Sequence, residues 1–194
     1  KEEEKDLQNL TPEKIQAYYK KGADALKYSV ENDYRPCSEC KRNYAIAVRY
    51  LSLLAEQGHV TSQTDLAWMY TNGKGVPKNR KTALKWYRLA AKQGDAFAQT
   101  KLGLFYQLGW GVPKDISKAI PWFRKAADQG DAGAQYDLGV AYMMGRGVDK
   151  NIKTALKWYR LAAKQGNRDA KTELRRLKNL MRKQKLGGYS EHVK

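Results

Sequence analysis

The string KTALKWYRLAAKQG fills residues 81–94 and returns unchanged at residues 153–166. A related string, KAIPWFRKAADQG, stands between them at residues 118–130. A Gln-Gly pair marks the same frame, because it recurs in steps of 36 residues at Gln57, Gln93, Gln129 and Gln165. A fixed period of this length indicates an array of structural repeats.

Each unit contains two helical patterns. In the first, a leucine is followed four residues later by a tyrosine, as at Leu102 and Tyr106, which is the spacing of one helical face. In the second, small and aromatic residues recur at i, i+3 and i+7, as at Ala119, Trp122 and Ala126, and form an apolar stripe. Predicted N-caps precede the second pattern in the three units: Asn79, Asp115 and Asn151.

Glycines separate the two helices of each unit and end the second. The loops GKGV, GWGV and GRGV begin at Gly73, Gly109 and Gly145. The glycine of the Gln-Gly pair suits a helix end because it tolerates positive φ. Small residues at fixed positions allow two helices to approach closely, while Trp and Tyr fill the space between units.

This pattern resembles the Sel-like repeat (SLR) family, a branch of the tetratricopeptide superfamily. The family unit reads roughly A-x3-L-G-x2-Y-x2-G-x-G-V, a capping Asx, then K-A-x2-W-x3-A-A-x2-G, and residues 98–130 satisfy it. Ala67 departs from it by replacing a glycine, and Pro121 falls inside a second helix, where it is expected to kink the helix. The resemblance implies an all-α fold, a right-handed α/α superhelical solenoid of 36-residue helix-turn-helix repeats.

The predicted domain organisation has four parts. Residues 1–10 form a tether-like N-terminus, residues 11–43 an N-terminal helix and degenerate repeat half with a CxxC loop, residues 44–174 the repeat array, and residues 175–194 a basic C-terminal cap and tail. Extending the frame backwards places Gly22 in the Gln-Gly column. Arg175 replaces the first-helix glycine, which predicts that the array closes here with a polar cap.

Cys37 and Cys40 are the two cysteines of the chain, and the same frame places them in a loop between helices. A CxxC pair can be a structural disulfide, part of a zinc site, a redox site or two free thiols. Zinc would need further ligands, for which only the unpatterned His59 and His192 remain. A redox site would need a βαβ context that the sequence lacks. We favour a disulfide that holds a loop without glycines, with reduced thiols as the alternative, and hence an oxidising compartment.

The composition and motifs argue against catalysis. No Ser-His-Asp or Cys-His arrangement is visible, and the glycine loops lack the Lys-Ser/Thr of a phosphate-binding loop. Asp65 and Asp137 share a column that Lys101 interrupts, so we interpret them as a solvated stripe. We therefore predict no enzyme activity, no cofactor, no metal site and no small-molecule substrate. No apolar run has the length of a membrane helix.

A partner-binding surface is predicted where the first-helix columns vary between units, because variable columns of a solenoid usually meet the ligand. Several of these residues are larger and more apolar than a solvent-facing side requires. The alternative is that some of them pack between units. The predicted partner-binding residues are Trp68, Phe97, Lys101, Leu104, Phe105, Leu108, Trp110, Tyr136, Val140 and Met144.

These observations predict a non-enzymatic protein-protein interaction module that binds a specific partner through its concave face. With 37 basic and 20 acidic residues the chain carries a net charge of +17, which favours an acidic partner. The resemblance implies an adaptor or inhibitor in the bacterial cell envelope or periplasm. Because the sequence begins at Lys1 and not at a methionine, we expect the protein to be exported with a removed N-terminal segment. One alternative is a periplasmic immunity protein that neutralises a secreted toxin. Another is a nucleic-acid-binding basic solenoid, which we do not favour because the basic residues of the second helices are periodic, as on a solvated face.

Overall fold

The computed structural model describes residues 11–31 and 38–187, and within these ranges it consists of helices without strands. Each helix packs chiefly against its neighbours in sequence, which is the arrangement of a solenoid. The prediction of an all-α solenoid is confirmed. The helices are α1 (Pro12–Glu31), α2 (Ser38–Glu56), α3 (Val60–Asn72), α4 (Arg80–Lys92), α5 (Ala96–Leu108), α6 (Ile116–Asp128), α7 (Ala132–Met144), α8 (Ile152–Lys164) and α9 (Arg168–Gly187).

The helices of the three complete units begin at side-chain caps. The predicted caps of α4, α6 and α8 each accept a hydrogen bond of 3.0 Å from the backbone N–H three residues later: Asn79, Asp115 and Asn151. The first helices have caps that the sequence analysis did not identify. Asp95, for example, accepts a bond of 2.6 Å from the backbone N–H of Ala98. Both kinds of cap satisfy amides that a helix start leaves unpaired.

Glycines in α5 and α7 allow the second helix of the same unit to approach closely. A Cβ atom at Gly103 would lie 2.6 Å from Cε1 of Phe123, and one at Gly139 would lie 2.5 Å from Cδ1 of Tyr159. The aromatic ring therefore occupies the space that a side chain would need. Because α9 has Arg175 at the equivalent position, a further helix cannot pack on α9 in the same way.

The two departures from the family pattern are accommodated. Ala67 takes the place of the glycine in α3 and is fully buried. Pro121 lies within α6, which continues through it from Ile116 to Asp128 without interruption. Neither departure breaks the helix-pair architecture of its unit.

Most periodic cations of the second helices are exposed, as predicted. Arg88 is an exception, because it is half-buried and its Nη2 donates a hydrogen bond of 3.2 Å to the hydroxyl of Tyr106 in the next unit. Arg124 donates to the hydroxyl of Tyr142 in the same manner. These arginines therefore link successive units rather than only solvating the surface.

A hydrogen-bonded pair of glutamines, of which the one on the first helix is buried, joins each unit to the preceding one. In the middle unit, Nε2 of Gln129 donates to Oε1 of Gln99 and to the carbonyl oxygen of Gly94, both at 2.9 Å. Nε2 of Gln99 in turn donates to the carbonyl oxygen of Ala91 at 3.1 Å. The end of α4, the start of α5 and the end of α6 are thus held together. The pair recurs, again at 2.9 Å, as Gln93 with Gln63 and Gln165 with Gln135.

The first two helices differ from the frame predicted by the sequence. Gly22, expected at a helix end, lies inside α1 and packs against Leu51 of α2, whose Cγ would be 3.0 Å from an added Cβ. Cys40 lies in the first turn of α2 and not in a loop, because Ser38 and Glu39 start a helix where other units have positive-φ glycines. Cys37 and the side chain of Cys40 lie outside the described residues, and the disulfide stays a prediction.

The ends of the chain, residues 1–10 and 188–194, also lie outside the described residues. Among the helices that the structure describes, none is long and apolar enough to cross a membrane.

Replacing Gln99 with leucine tests the glutamine pair. We expect the free energy of unfolding to fall by about 1–3 kcal/mol, because two hydrogen bonds are lost, one from Gln99 to the carbonyl of Ala91 and one from Gln129 to Gln99, and each typically contributes about 0.5–1.5 kcal/mol. The measurement is urea denaturation followed by circular dichroism.

Gln107→Leu in the same helix is the matched control, because the Gln107 side chain forms no hydrogen bond within the described part of the chain. We expect it to change stability by less than about 0.5 kcal/mol. Equal losses in the two variants would show that the glutamine pair is not what stabilises this junction.

Candidate functional site

Two grooves open between successive first helices, one unit apart. The α3–α5 groove has a volume of about 280 Å³. Its walls come from α3 and α5, and one end is formed by the start of α4 and by the loop after α5. It brings together most of the residues predicted to bind a partner: Trp68, Lys101, Leu104, Phe105, Leu108 and Trp110. Its other lining residues include Lys78, Arg80 and Tyr87.

Phe105 forms the floor of this groove rather than a binding surface. Only 1% of its surface is exposed, and its ring lies edge-on to Tyr87 and Trp110, with centroids 5.5 and 5.6 Å away. Edge-to-face contacts of this kind stabilise a core. Phe105 therefore offers no surface to a partner, which corrects its assignment as a contact residue.

Two cations are held at the edges of the groove by aromatic rings. The guanidinium of Arg80 lies 4.4 Å from the ring centroid of Trp110, and Nζ of Lys101 lies 4.7 Å from that of Phe97. A cation over a ring face is attracted by the ring quadrupole. Lys78 adds a third positive charge. Within the described residues, neither Arg80 nor Lys78 forms an ion pair with an acidic side chain.

The α5–α7 groove is the equivalent site one unit later, with a volume of about 150 Å³. It contains Val140, another predicted residue, and shares Leu108 with the first groove. The two grooves differ in charge at corresponding positions. Ile116 stands where the first groove has Arg80, Arg146 where it has Trp110, and Asp137 where it has Lys101.

The remaining predicted residues lie outside both grooves. Phe97 and Met144 are 44% and 58% exposed, on α5 and α7 respectively. Tyr136 is half-buried and packs its ring against Tyr159, with centroids 5.8 Å apart. Since it packs on the core next to α9, Tyr136 fills the end of the array and is not part of the groove surface.

Asp65 and Asp137 are half-buried, so their interpretation as a solvated stripe is wrong. The pKa of Asp137 is raised to about 7, chiefly by burial and also by the charge of Asp131, while Lys101 lowers it. Burial also raises the pKa of Asp65 to about 6, with Asp95 adding to the shift. Neither carboxyl forms a hydrogen bond or an ion pair within the described part of the chain.

Lys78 and Arg80 line the groove but were not among the residues predicted to bind a partner. Comparing units at the 36-residue period could have identified Arg80, because it replaces the apolar Ile116 of the next unit.

His59 has a structural role, since its Nδ1 lies 2.7 Å from the hydroxyl oxygen of Ser62 at the start of α3. In the part of the chain that the structure describes, no cluster of His, Cys, Asp and Glu could hold a metal ion.

Asp137 should make the stability of the protein depend on pH. Its pKa is about 7 in the folded chain against an ordinary value of 3.8. Between these values the folded chain holds a proton that the unfolded chain has released. Its contribution to the free energy of unfolding therefore falls as the pH rises. We expect Asp137→Asn to raise Tm at about pH 8 and to lose this advantage at about pH 5.

Thermal unfolding followed by circular dichroism at both pH values measures this effect. Asp149→Asn, in an exposed loop, controls for the loss of one negative charge from the chain. If Asp137→Asn changed Tm equally at both pH values, the burial of an ionised carboxylate would not be the cause of that change in Tm.

The Sel1 repeat family model matches residues 38–59, 60–95, 96–131 and 132–167. A protective antigen present in uropathogenic Escherichia coli strains, which displays an SLR fold, superposes with a TM-score of 0.70 at 31% identity. That alignment covers 86% of this chain but only 36% of the antigen, so the chain spans about a third of its length. Comparison with curated proteins gives no match.

Two further solved structures are similar to most of the repeat array. A Sel1 repeat protein from Oxalobacter formigenes superposes with a TM-score of 0.60 at 42% identity, over 64% of this chain and 94% of that protein. Helicobacter pylori cysteine rich protein B superposes with a TM-score of 0.54 at 25% identity, over 67% of this chain and 93% of that protein. Both similarities extend over nearly the whole of the other protein.

Proposed function

We propose that this chain, which belongs to the Sel1 repeat family, is a non-enzymatic module that binds a protein partner across the face formed by α3, α5 and α7. Sel1 repeats generally mediate protein-protein interactions. The sequence predicts that these first helices form the concave face of the solenoid. The partner and its role are specific to the chain and depend on its variable residues.

The observation that carries the proposal is the α3–α5 groove. Trp68, Leu104 and Leu108 line an open apolar surface, and Leu108 is 47% exposed. Apolar and aromatic side chains that converge in a groove are the usual anchors of a protein interface. Met144, which occupies the column of Leu108 one unit later, is a second exposed apolar residue on this face. Exposure of these apolar side chains to water is unfavourable, and a bound partner would remove this cost by burying them.

The charge of the chain supports an acidic partner. The net charge is +17, and Lys78, Arg80 and Lys101 surround the apolar surface of the groove. A positive rim steers a negatively charged protein towards the site and selects against basic ones. The interaction should therefore weaken moderately as salt rises.

Leu108→Asp tests whether this face binds the partner. The substitution places a negative charge in the groove at a position that is already half exposed, so the fold should be retained. Affinity capture from an extract of the native organism, with circular dichroism as a check of folding, is the measurement. We expect a protein that co-purifies with the wild type to be lost, with at least a tenfold drop in affinity, about 1.4 kcal/mol.

Leu161→Asp is the matched control, because Leu161 is 39% exposed on the second helix α8. It should capture the partner as well as the wild type does. Equal capture by both variants would refute the proposed face. Capture of nucleic acid alone, lost steeply as salt rises, would refute the proposed function. The identity of the captured protein distinguishes an adaptor from an inhibitor or an immunity protein.

We also propose that the protein acts in the bacterial periplasm or cell envelope. Two points support this location: the CxxC pair of Cys37 and Cys40, for which we predict a disulfide, and the description of the Escherichia coli relative as a protective antigen. Disulfides persist in oxidising compartments and are rare in the cytosol.

Thiol alkylation of the protein from its native cells, denatured without reductant, checks the disulfide by mass spectrometry. We expect neither cysteine to be alkylated before reduction and both to be alkylated after it. Two free thiols at the outset would contradict the disulfide and remove this support for the location.

A further inference from the structure

The two grooves form an internal comparison, because the repeats place equivalent residues around each of them. Their backbones follow the same 36-residue frame, so their differences lie in the side chains. The α3–α5 groove has the larger volume, about 280 Å³ against about 150 Å³. It is also the groove that contains Trp68 and Trp110. Specialised recognition is therefore expected in this groove.

The charges of the lining residues also distinguish the α3–α5 groove from the α5–α7 groove. The cations that line the α3–α5 groove are Lys78, Arg80 and Lys101, and its lining includes no acidic residue. The lining of the α5–α7 groove includes Asp137 as well as Lys114 and Arg146. A negatively charged ligand would meet no acidic lining residue in the first groove, whereas in the second it would be repelled by Asp137 whenever that carboxyl is ionised. Charge thus favours the same groove as volume does.

The size of the α3–α5 groove suits one large side chain. Small-molecule sites usually have volumes of roughly 300–1,000 Å³, and this groove lies just below that range. Trp68, Leu104 and Leu108 give it apolar walls above the closed floor formed by Phe105. A single aromatic or long aliphatic side chain would fit within it and shield these walls from water.

The cations are arranged to receive carboxylates next to that side chain. Trp110 supports one face of the Arg80 guanidinium, and the N–H groups at the edge of a stacked guanidinium stay available to pair with a carboxylate. Phe97 supports Lys101 in a similar manner. Because the rings restrict the two cations before binding, less conformational entropy is lost when a ligand arrives.

We propose that the α3–α5 groove binds a peptide segment of a partner protein in which one large apolar side chain is flanked by Asp or Glu. The apolar side chain contacts Trp68, Leu104 and Leu108, while the flanking carboxylates pair with Arg80 and Lys101. This inference rests on the proposed function and specifies the chemistry of the partner.

Selection from a random peptide display library tests the proposal with the intact chain as bait. We expect the enriched peptides to carry one aromatic or large aliphatic residue among several acidic ones. Their affinities are then measured by fluorescence polarisation for the wild type and for Arg80→Glu. We expect the affinity of the variant for these peptides to be about tenfold lower or weaker still, because an attractive charge becomes a repulsive one. Glutamate at the start of α4 is compatible with the helix dipole.

Lys125→Glu is the matched control. Nζ of Lys125 lies 4.9 Å from the ring centroid of Trp122 on the second helix α6, so this variant reverses the charge and removes a cation–π contact far from the groove. We expect it to bind the peptides within about twofold of the wild type. Equal losses in Arg80→Glu and Lys125→Glu would mean that net charge, and not the groove, is recognised, which would overturn the proposal.

Other outcomes separate this proposal from the proposed function. Enriched peptides that lack acidic residues, or a library that yields no binder, would overturn the inferred peptide chemistry. If non-acidic peptides still lost binding to Leu108→Asp, the binding face would stand and only its specificity would be wrong. Peptides that bind Leu108→Asp as well as the wild type would contradict both.

Discussion

A glutamine side chain shared by three helices recurs at each junction between the complete units, and the geometry of the array depends on it. Gln99 lies between the end of α4 and the end of α6, bonded to Ala91 on one side and to Gln129 on the other. The side-chain amide of Gln99 is buried, where an unpaired donor or acceptor is costly. Each unit can therefore adopt only a narrow range of positions relative to the one before it. Close packing of Gly103 against Phe123 restricts the position of the helices further.

This fixed geometry explains how one repeat can acquire a new binding property without a change of fold. The bonds that set the position of each unit come from recurrent columns, whereas the grooves are lined mainly by variable ones. At equivalent positions of the two grooves, Ile116 takes the place of Arg80, and Asp137 takes the place of Lys101. These differences alter the charge of the groove and leave the glutamine pairs intact. The duplicated second helices carry packing residues, and the first helices carry the differences between units.

The face formed by α3, α5 and α7 is also where the structure retains unfavourable features. Burial raises the pKa values of Asp65 and Asp137, and neither carboxyl has a bonding partner in the described chain. Exposed apolar groups such as Leu108 lie on the same face. Residues chosen for stability alone would remove both features. Their presence on one face is consistent with a surface shaped by binding.

The sequence by itself determined the period, the helix pair and the caps of the second helices, because these depend on residues within one unit. Helical spacing, the Asx caps and the glycine helix ends are local signals, and the structure confirms them at Asn79 and Gly94. The sequence also identified most residues of the α3–α5 groove, since variable columns mark the exposed side of a helix.

Only the tertiary structure decided which of those residues are accessible. Phe105 and Tyr136 belong to variable columns, yet one closes the floor of the groove and the other packs beside α9. The tertiary structure also decided that Arg80 lines the groove and that Asp137 is half-buried. Spacing places a residue on a side of its helix, but burial depends on the angle and distance to helices from neighbouring units. Those quantities are set by the packing of the whole array.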